Sequence, residues 1–366
     1  MRVDQCLPDF AKHDAIGNHV LRVRDALCDA GYDSDIWADR IDERLAGESK
    51  RYEDFAKDGP DTVLIYHLST DSTMTRWLED RDRAGTRVIS YYHNISPSKY
   101  FRRWEPRIAR RLDEAREQLV KLAPVTSLAL AASSFNRDEL VDAGYGSVIV
   151  APLLVDLTPF DQLGQDSSVN NPSARERAGS RWLFVGRIAP NKCQHDVVAA
   201  FAVYRRLIDP DATLTLVGGP SSYRYLQAVR RLIVELGLEG SVRQLDNVAF
   251  PQLLEEYRRA DVLVCLSEHE GFCVPLLEAM AAGVPVVAFR AAAVPETVGD
   301  AAVLVDDKDP LHVAHAVDDL LRDPDHRMKM IARGRSRAGQ FRLSETSHQL
   351  VSEVNRWLRA ESLASR

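Results

Sequence analysis

Short runs of β-branched and aromatic residues alternate with amphipathic stretches along most of the chain. This alternation is typical of parallel sheets whose strands are joined by crossover helices. In the first half, the predicted strands are Asp35–Ala38, Thr62–Leu68, Arg87–Tyr92, Ser127–Ala132 and Ser147–Ala151. In the second half, they are Trp182–Val185, Thr213–Val217, Val242–Leu245, Val262–Leu266, Val284–Phe289 and Ala302–Val305.

Helical periodicity fills several intervals between these strands. Apolar residues recur near a 3.6-residue period over Asn18–Ala30, Gln194–Leu207, Tyr223–Leu236 and Pro275–Ala282. The polar, Pro- and Gly-containing stretch 161–180 interrupts the alternation and is interpreted as a linker. The pattern therefore predicts an α/β fold with two doubly wound domains, 1–160 and 181–343, and a final helical segment in 344–366.

Composition and charge narrow the classes of protein. A length of 366 residues suits two domains, since a domain usually has about 100–200 residues. Hydrophobic residues make up 45% and charged residues 28%, which excludes a disordered, collagen-like or disulfide-scaffold chain. The 47 Lys and Arg residues against 54 Asp and Glu residues give a net charge of −7, so we expect no nucleic-acid partner.

The cysteines and the N-terminus bear on location. The five cysteines are scattered and form no Cys-x-x-Cys pair, which argues against a disulfide framework or a zinc site. The N-terminus carries no apolar signal region, and no stretch reaches the roughly 18–20 apolar residues that span a bilayer. We therefore expect a cytoplasmic protein.

Two basic residues follow a predicted strand in the second half. The strand ends at Gly186, Arg187 comes next, and Lys192 lies where a helix begins. Ligands of open α/β sheets bind beyond the carboxyl ends of the strands, and helix N-termini favour anions. Arginine and lysine both bind phosphate, the first as a planar fork and the second as a point charge. On spacing alone, two solvated surface cations are an equally good interpretation.

An acidic loop follows the strand Val262–Leu266. It reads Glu268-His269-Glu270-Gly271, and a helix that carries Glu278 starts near Pro275. Glu270 and Glu278 can then both contact a ligand at the helix N-terminus, where backbone N–H groups favour an anion. A local cap and a solvated loop charge are the alternatives. Polar loops at strand ends are often functional, which favours a binding site.

These segments together resemble a known family. The Gly186-Arg187…Lys192 element, the strand end Val217-Gly218-Gly219-Pro220 and the stretch Glu270–Glu278 are similar to the donor half of retaining GT-B glycosyltransferases. The most similar group is family 4, also called group 1. The resemblance covers nearly all of residues 181–307.

A looser resemblance extends over the first half. His13–Val20 is similar to the family's glycine-containing first loop, although Gly17 is the one glycine present there. Tyr91–Pro97 resembles the family's His-containing strand end, and Ser133–Leu140 resembles its Ser-x-Phe-Asn helix start. For His93 alone, a hydrogen-bonded structural histidine is the alternative interpretation.

The resemblance implies a GT-B architecture, in which two Rossmann-like domains face a deep interdomain cleft. It implies that the helix in 344–366 packs on the N-terminal, acceptor-binding domain. The implied activity is retaining transfer of a hexosyl unit from a UDP- or GDP-sugar to a hydroxyl-bearing acceptor, in glycan, glycolipid or glycoside biosynthesis. The nucleotide sugar is then a co-substrate, with no cofactor and no metal, since the Asp-x-Asp triplets of the chain border helices and turns.

The resemblance also assigns roles to individual residues. The implied catalytic residues are His93, Arg187, Lys192 and Glu270. The implied donor-binding residues are Gly17, Gly186, Gly218, Gly271, Phe272, Cys273, Val274 and Glu278. The implied acceptor-side residues are Asn18, Asn94, Ser134 and Asn136. The two cations would stabilise the leaving diphosphate, while Glu278 would bond the ribose and Glu270 the donor sugar.

Residues 99–121 form a basic stretch with aromatic residues near helical spacing. It carries eight Lys and Arg residues against four acidic ones. A helix of this kind can lie on an anionic membrane or receive a lipid-linked acceptor. Alternatively, its apolar residues pack on the sheet and its arginines are solvated or paired at i, i+4. Peripheral contact with the inner face of a membrane is therefore a hypothesis.

Two other functions remain open from the sequence. A nucleotide-sugar epimerase or a phosphorylase has the same architecture, and a non-catalytic sugar-nucleotide-binding protein is a different class. A dinucleotide oxidoreductase is disfavoured because no G-x-G-x-x-G motif follows either first strand.

Overall fold

The computed structural model describes residues 1–11, 15–56, 59, 61–165 and 179–364. The chain forms two compact units. The first consists of Met1–Ser98, Arg107–Val155 and Phe341–Arg366. The second consists of Lys99–Pro106 and Asp156–Gln340. Each unit is built on one parallel sheet, so the predicted α/β fold with two doubly wound domains is confirmed.

The sheet of the first unit has seven strands within the described residues. These are β1 (Arg2–Phe10), β2 (Ile36–Ile41), β3 (Lys50–Arg51), β4 (Thr62–Leu68), β5 (Arg87–Tyr92), β6 (Leu128–Ala131) and β7 (Val148–Val150). They lie in the order β3-β2-β1-β4-β5-β6-β7, and every neighbouring pair is parallel. The winding of the sheet reverses between β1 and β4. Sheets of this kind bind ligands beyond the carboxyl ends of the two strands at such a reversal.

Five helices accompany this sheet in the part of the unit that is described. They are α1 (Ala15–Asp29), α2 (Met74–Arg83), α3 (Pro106–Leu122), α4 (Ser134–Asp142) and the C-terminal helix α13 (Leu343–Ala364). In α13, Leu350 and Val354 are fully buried, and the Arg87 guanidinium lies 5.6 Å from the centre of the Trp357 ring. The final helix is therefore part of the first unit.

The hydrophobic pattern does not indicate the central strand β1, nor the two-residue edge strand β3. Asp4 and Gln5 are buried in the middle of β1, where an apolar run is expected. The Asp4 carboxylate accepts hydrogen bonds from the Asp35 N–H (2.8 Å) and the Trp37 indole (3.1 Å), and it pairs with Arg2. Because these polar groups have partners, the strand can carry them in the core.

The sheet of the second unit has six strands among its described residues. These are β8 (Arg181–Val185), β9 (Thr213–Val217), β10 (Val242–Leu245), β11 (Val262–Cys265), β12 (Val286–Phe289) and β13 (Val303–Val305). They lie in the order β10-β9-β8-β11-β12-β13, with every pair parallel. The winding reverses between β8 and β11, the two strands whose ends carry the motifs identified from sequence.

Eight helices belong to the second unit as far as it is described. They are α5 (Thr158–Gln165), α6 (Gln194–Leu207), α7 (Tyr223–Glu235), α8 (Phe250–Arg259), α9 (Val274–Ala281), α10 (Val294–Val298), α11 (Pro310–Arg322) and α12 (Pro324–Gly339). The core between them and the sheet includes Trp182, Phe184, Phe201 and Tyr225.

The division between the units falls at residues 155 and 156, whereas the sequence places the end of the first domain at 160. The reason is α5, in which Phe160 packs edge-on against Tyr257 with ring centroids 5.2 Å apart. Of the interpreted linker 161–180, residues 161–165 belong to α5, and residues 166–178 lie outside the described residues.

Residues 99–121 do not form one helix, which corrects the interpretation of this stretch. Lys99–Pro106 belongs to the second unit, where Trp104 packs against Tyr225 (5.2 Å) and Ser222 donates to Glu105 (3.0 Å). The helix begins at Pro106 because proline lacks an N–H and restricts the residue before it.

The helical part of this stretch, α3, is packed as the alternative interpretation states, but two of its arginines pair with residues of other elements. Its residues Ala109, Ala115 and Leu119 are buried in the first unit. Arg111 pairs with Asp71 at 2.8 Å and Arg116 with Glu139 at 3.0 Å. Among the helices of the described residues, none is long and apolar enough to cross a bilayer.

Candidate functional site

The ends of β8 and β9 meet at two glycines of the second unit. The N–H of Gly186 donates to the carbonyl of Val217 at 2.9 Å. Gly218 has a φ of +141°, and a Cβ atom there would lie 2.2 Å from the carbonyl oxygen of Gly186. Gly218 is therefore required for this close approach. Arg187, the residue after Gly186, is exposed, and the Gln194 side-chain amide donates a hydrogen bond to the Arg187 carbonyl at 2.9 Å.

Lys192 is placed by a short turn after this strand end. Residues Pro190–Lys192 form a 3-10 helix, and α6 starts beyond Cys193, whose backbone is left-handed (φ 54°). The loop after β11 is tied to this turn by two hydrogen bonds. The N–H of Glu268 donates to the Asn191 carbonyl (2.9 Å), and the Asn191 amide donates to the His269 carbonyl (3.2 Å).

This arrangement brings Lys192 and Glu270 into contact. The Lys192 Nζ atom lies 2.6 and 2.5 Å from the two carboxylate oxygens of Glu270. Burial by itself would lower the pKa of Lys192, but the adjacent Glu270 carboxylate outweighs it and the pKa is raised. Lys192 is therefore a permanent cation, held at the carboxyl ends of β8 and β11 where the winding of the sheet reverses.

The helix α9 starts four residues after Glu270. Its N-terminal boundary is Cys273, which has a left-handed backbone (φ 70°). The side chains of Phe272 and Cys273 are buried, so their backbone is the part that can contact a ligand at Gly271–Val274. The N–H groups at such a helix start favour an anion.

Glu278 lies in the second turn of α9. The Tyr257 hydroxyl donates to its carboxylate at 2.7 Å. Burial raises the pKa of Glu278 to about 7, and the Tyr257 hydrogen bond opposes this rise. Glu278 is therefore a hydrogen-bonding group whose charge changes near neutral pH.

Lys308 is a residue of this region that the sequence analysis missed. Its Nζ atom contacts Glu268 (2.5 Å) and Asp196 (2.6 Å) and lies 3.4 Å from the Cys193 sulfur. Burial by itself would lower the pKa of Lys308, but its two carboxylate partners outweigh burial and the pKa is raised. The available signal is its position just after β13, at the same edge of the sheet as the other strand ends.

In the first unit, Gly17 and Asn18 lie in the first turn of α1, which begins at Ala15 after the end of β1. A Cβ atom at Gly17 would lie 2.5 Å from the Ala11 carbonyl oxygen, so the helix approaches the strand end closely. Asn18 is exposed on the same turn. His13 and Asp14 of the predicted loop lie outside the described residues.

His93 directly follows β5 and is half-buried beside the buried imidazoles of His19 and His67. Its Nε2 atom is 2.8 Å from Nδ1 of His67, and the other nitrogen of His67 is 2.9 Å from the Gln5 amide oxygen. His19 completes the cluster and accepts a hydrogen bond from the Leu154 N–H at 2.9 Å. Burial lowers the pKa of His93 to about 3 and places the pKa values of His19 and His67 well below their usual range. All three histidines are neutral at pH 7.

The histidine cluster is larger than the sequence analysis indicated. His67 lies one residue before the end of β4, and His19 follows Asn18 in α1. Because β1, β4 and β5 are neighbours in the sheet, residues at their carboxyl ends meet. His67 could have been found from its position one residue before the end of a predicted buried strand, because such residues meet those at the ends of neighbouring strands.

The acceptor-side candidates are placed near the end of β5 and the start of α4. Asn94 has a left-handed backbone (φ 80°). Ser134 is the first residue of α4, and Ser133 caps this helix by accepting a hydrogen bond from the Asn136 N–H at 3.2 Å. Asn136 is fully buried, and its amide donates to the Tyr92 carbonyl at 3.2 Å. Asn136 therefore supports the strand end through its amide nitrogen.

Three clusters within the described residues have donor atoms close enough to surround a metal ion, with separations within 4.8 Å. They are His19, His67 and His93; Cys265, Glu270 and Cys273; and Cys193, Asp196 and Glu268. In the second cluster Lys192 already occupies both oxygens of Glu270, and in the third Lys308 contacts every member.

Comparisons with known proteins agree with this arrangement. Residues 173–337 match the family described as glycosyl transferases group 1. Over 234 residues the chain is 32% identical to the D-inositol 3-phosphate glycosyltransferase of Frankia alni, with 62% of this chain and 57% of that protein covered. Over 236 residues it is 31% identical to a GDP-mannose-dependent alpha-(1-6)-phosphatidylinositol monomannoside mannosyltransferase of Mycobacterium tuberculosis, with 61% of this chain and 60% of that protein covered. The chain spans about half the length of the curated relatives it matches.

A solved structure shows the same fold over nearly the whole chain. The crystal structure of HepE from Anabaena in complex with UDP superposes with a TM-score of 0.73 at 17% sequence identity. The match covers 97% of this chain and 100% of the HepE chain. The GT-B fold expected from the sequence is thereby confirmed. The resemblance stated from the motifs is confirmed as well, since residues 173–337 match the glycosyl transferases group 1 family.

Proposed function

We propose that the protein is a retaining, metal-independent glycosyltransferase that moves a hexosyl unit from a nucleotide diphosphate sugar to an acceptor hydroxyl. The contact between Lys192 and Glu270 carries this proposal. This contact joins a permanent cation to a carboxylate at the point where the winding of the second sheet reverses, beside the N-terminus of α9. A cation suits the diphosphate and a carboxylate suits sugar hydroxyls.

In the proposed reaction, the bond between the anomeric carbon and the diphosphate oxygen breaks, and its electron pair stays on the diphosphate. Lys192 and Arg187 stabilise the negative charge that grows there, which lowers the barrier because this charge is larger in the transition state. The acceptor oxygen bonds the anomeric carbon on the same face, and its proton passes to the departing phosphate oxygen. The alternative mechanism is a double displacement through a protein nucleophile.

Other residues would bind the substrates. The Glu278 carboxylate would accept hydrogen bonds from the ribose, and the backbone at Gly271–Val274 would contact the β-phosphate or the sugar. Gly186 and Gly218 would leave room for the diphosphate, and Gly17 would do so in the first unit. His93 would contact the donor sugar, with Asn18 and Asn94 on the acceptor side.

The identities of the two substrates are proposed as classes. Relatives are named for GDP-mannose and for inositol phosphate or phosphatidylinositol mannoside, and the HepE structure holds UDP. We therefore propose a UDP- or GDP-hexose donor and a polyol, sugar or lipid-linked acceptor. A lipid-linked acceptor would make peripheral membrane contact by residues 99–121 useful, and that contact remains a hypothesis.

The test is release of nucleotide diphosphate from a panel of UDP- and GDP-hexoses. Lys192→Ala is expected to lower the rate by about 10²–10³-fold, the usual effect of removing one group that stabilises a growing negative charge. Lys329→Ala is the matched control, since Lys329 is exposed on α12. Thermal unfolding of each variant separates lost chemistry from lost fold, and addition of a chelator is expected to leave the rate unchanged.

Two outcomes would contradict the proposal. Tight nucleotide-sugar binding without turnover of any donor would favour a non-catalytic binding protein. Conversion of the donor to an epimeric nucleotide sugar, or phosphate-dependent release of a sugar phosphate, would favour an epimerase or a phosphorylase. The anomeric configuration of a transfer product, read by NMR coupling constants, tests retention.

A further inference from the structure

In the first unit, a row of hydrogen bonds joins residues that belong to or directly follow three neighbouring strands of the sheet. Gln5 lies on β1, His67 on β4, and His93 directly after β5, and these strands are adjacent in that order. Gln5 contacts His67 at 2.9 Å, and His67 contacts His93 at 2.8 Å. The proposed function gives no role to Gln5 or His67.

The orientation of the Gln5 side-chain amide determines which atom donates in each of these hydrogen bonds. The Gln5 amide nitrogen lies 3.1 Å from the Val20 carbonyl, which can only accept. The Gln5 oxygen therefore faces His67, and His67 must carry its proton on Nε2. The Nδ1 atom of His67 then carries no proton, and it accepts a hydrogen bond from the Nε2–H group of His93.

The ring geometry supports a hydrogen bond between the two imidazoles. The His67 and His93 rings are nearly parallel, with an interplanar angle of 10° and centroids 5.1 Å apart. This separation suits an in-plane hydrogen bond between ring edges, because the facing nitrogens are 2.8 Å apart. With Nε2 of His93 protonated, its Nδ1 atom holds a lone pair.

That lone pair and a neighbouring donor are both unused. Nδ1 of His93 and Nε2 of His19 are buried and have no hydrogen-bond partner among the described residues. His19 accepts the Leu154 N–H on Nδ1, so its Nε2 atom carries the proton. The two rings lie edge to face with centroids 5.2 Å apart. An unpaired acceptor beside an unpaired donor matches a hydroxyl group, which can donate to one and accept from the other.

We propose that Gln5 and His67 are positioning residues that hold His93 in the Nε2–H tautomer, so that its Nδ1 atom accepts a hydrogen bond from a substrate hydroxyl while His19 donates to the same oxygen. The hydroxyl assignment rests on the proposed function, whereas the tautomer does not. Burial keeps His93 neutral, so the lone pair persists throughout the neutral pH range.

The donor and acceptor pattern also speaks against a metal ion in this cluster. A metal on Nε2 of His19 would require a proton on its Nδ1 atom, which would then face the Leu154 N–H, another donor. A metal between His67 and His93 would replace the hydrogen bond that joins them.

The test is long-range ¹H–¹⁵N NMR of the full chain labelled on histidine, which reports the protonated nitrogen of each ring. His93 signals are assigned by their loss in His93→Gln. In the unsubstituted protein we expect a protonated Nε2 and a bare Nδ1 on His93. His67→Leu removes the acceptor for the His93 proton and is expected to give a mixture of tautomers. His67→Asn is the matched variant, since its Oδ1 atom can take the place of Nδ1.

Donor hydrolysis gives a second readout. His67→Leu is expected to lower kcat/KM about tenfold, the effect of one lost neutral hydrogen bond, and His67→Asn is expected to restore most of it. A protonated Nδ1 on His93, or an unchanged tautomer in a folded His67→Leu variant, would overturn the proposal. Stoichiometric Zn²⁺ binding that shifts all three imidazole signals would also overturn it. If His67→Leu does not fold, the tautomer of the unsubstituted protein decides alone. If no donor is turned over, the proposed function fails while the NMR result still stands.

Discussion

At the residue scale, the side chains of Glu270 and Glu278 in the second unit have different partners. Glu270 contacts the Lys192 ammonium group through both of its carboxylate oxygens. Glu278 has a neutral tyrosine hydroxyl as its partner, so burial raises its pKa to about 7. The two acids eight residues apart are therefore suited to different contacts, the first beside a cation and the second beside hydroxyl groups.

Glu278 is expected to make stability depend on pH. Its folded pKa of about 7 lies above the ordinary value of 4.5, so its stabilising effect is full below pH 4.5 and is lost as the pH rises through 7. The free energy of unfolding should fall by about 3 kcal/mol at most across this range, and Glu278→Gln should abolish that loss. Chemical denaturation at several pH values measures it.

The control for this prediction is Glu235→Gln, because Glu235 is exposed at the end of α7. Tyr257→Phe is expected to extend the loss to higher pH, since the hydroxyl that lowers the pKa of Glu278 is removed. An unchanged pH profile in Glu278→Gln would show that other groups cause the dependence.

At the element scale, backbone conformation brings the strand ends of the second unit together. Left-handed residues at Cys193 and Cys273 lead into α6 and α9, and Gly218 allows β9 to pass close to Gly186. These turns place Lys192 and Glu270 at one edge of the sheet. Hydrogen bonds between Asn191 and the loop after β11 maintain their contact.

Gly218→Ala is expected to disrupt this edge. The new Cβ atom would lie 2.2 Å from the Gly186 carbonyl oxygen, and the φ of +141° is unfavourable for alanine. The combined overpacking and backbone strain should cost about 2–4 kcal/mol of unfolding free energy and weaken nucleotide binding. Denaturant unfolding and nucleotide titration measure the two effects.

Gly240→Ala is the matched control, since a Cβ atom there would have no heavy atom within 4 Å. Its unfolding free energy should change by no more than about 0.5 kcal/mol. Equal losses in the two variants would contradict the account of the strand ends.

At the scale of the whole molecule, the chain order and the spatial units differ. The chain enters the second unit at Lys99–Pro106, returns to the first, crosses again at residue 156, and ends with α13 in the first unit. Each unit therefore depends on segments that are distant in sequence. The packing of Trp104 on Tyr225 and of α13 against α1 shows this for the two units in turn.

Leu350→Ala is expected to destabilise the first unit selectively. Leu350 is fully buried on α13, and a cavity of this kind costs about 2–5 kcal/mol. Hydrogen exchange should increase in peptides from α1 and leave α6 in the second unit protected. Leu363→Ala is the control, since Leu363 is 74% exposed. Equal loss of protection in α6 would contradict this assignment of α13.

The strands show how much of the fold local pattern could predict. Thr62–Leu68, Arg87–Tyr92, Thr213–Val217 and Val242–Leu245 have the bounds that the sequence predicts. The hydrophobic pattern missed β1 because Asp4 and Gln5 are buried there with partners from other elements. Similarly, the basic stretch 99–121 carries helical periodicity throughout, but Pro106 and packing on Tyr225 separate its first part from α3.

The candidate site divides in the same way. The sequence by itself determined the α/β class, the two sheets and the motif residues Arg187, Lys192, Glu270 and Glu278, because these depend on periodicity and on spacing along the chain. Tertiary structure alone decided that Lys192 pairs with Glu270, that Lys308 joins the same edge, and that Gln5 and His67 precede His93 in a hydrogen-bonded row. Strand order in a sheet brings distant residues together, and hydrogen-bond direction depends on which neighbours they meet there.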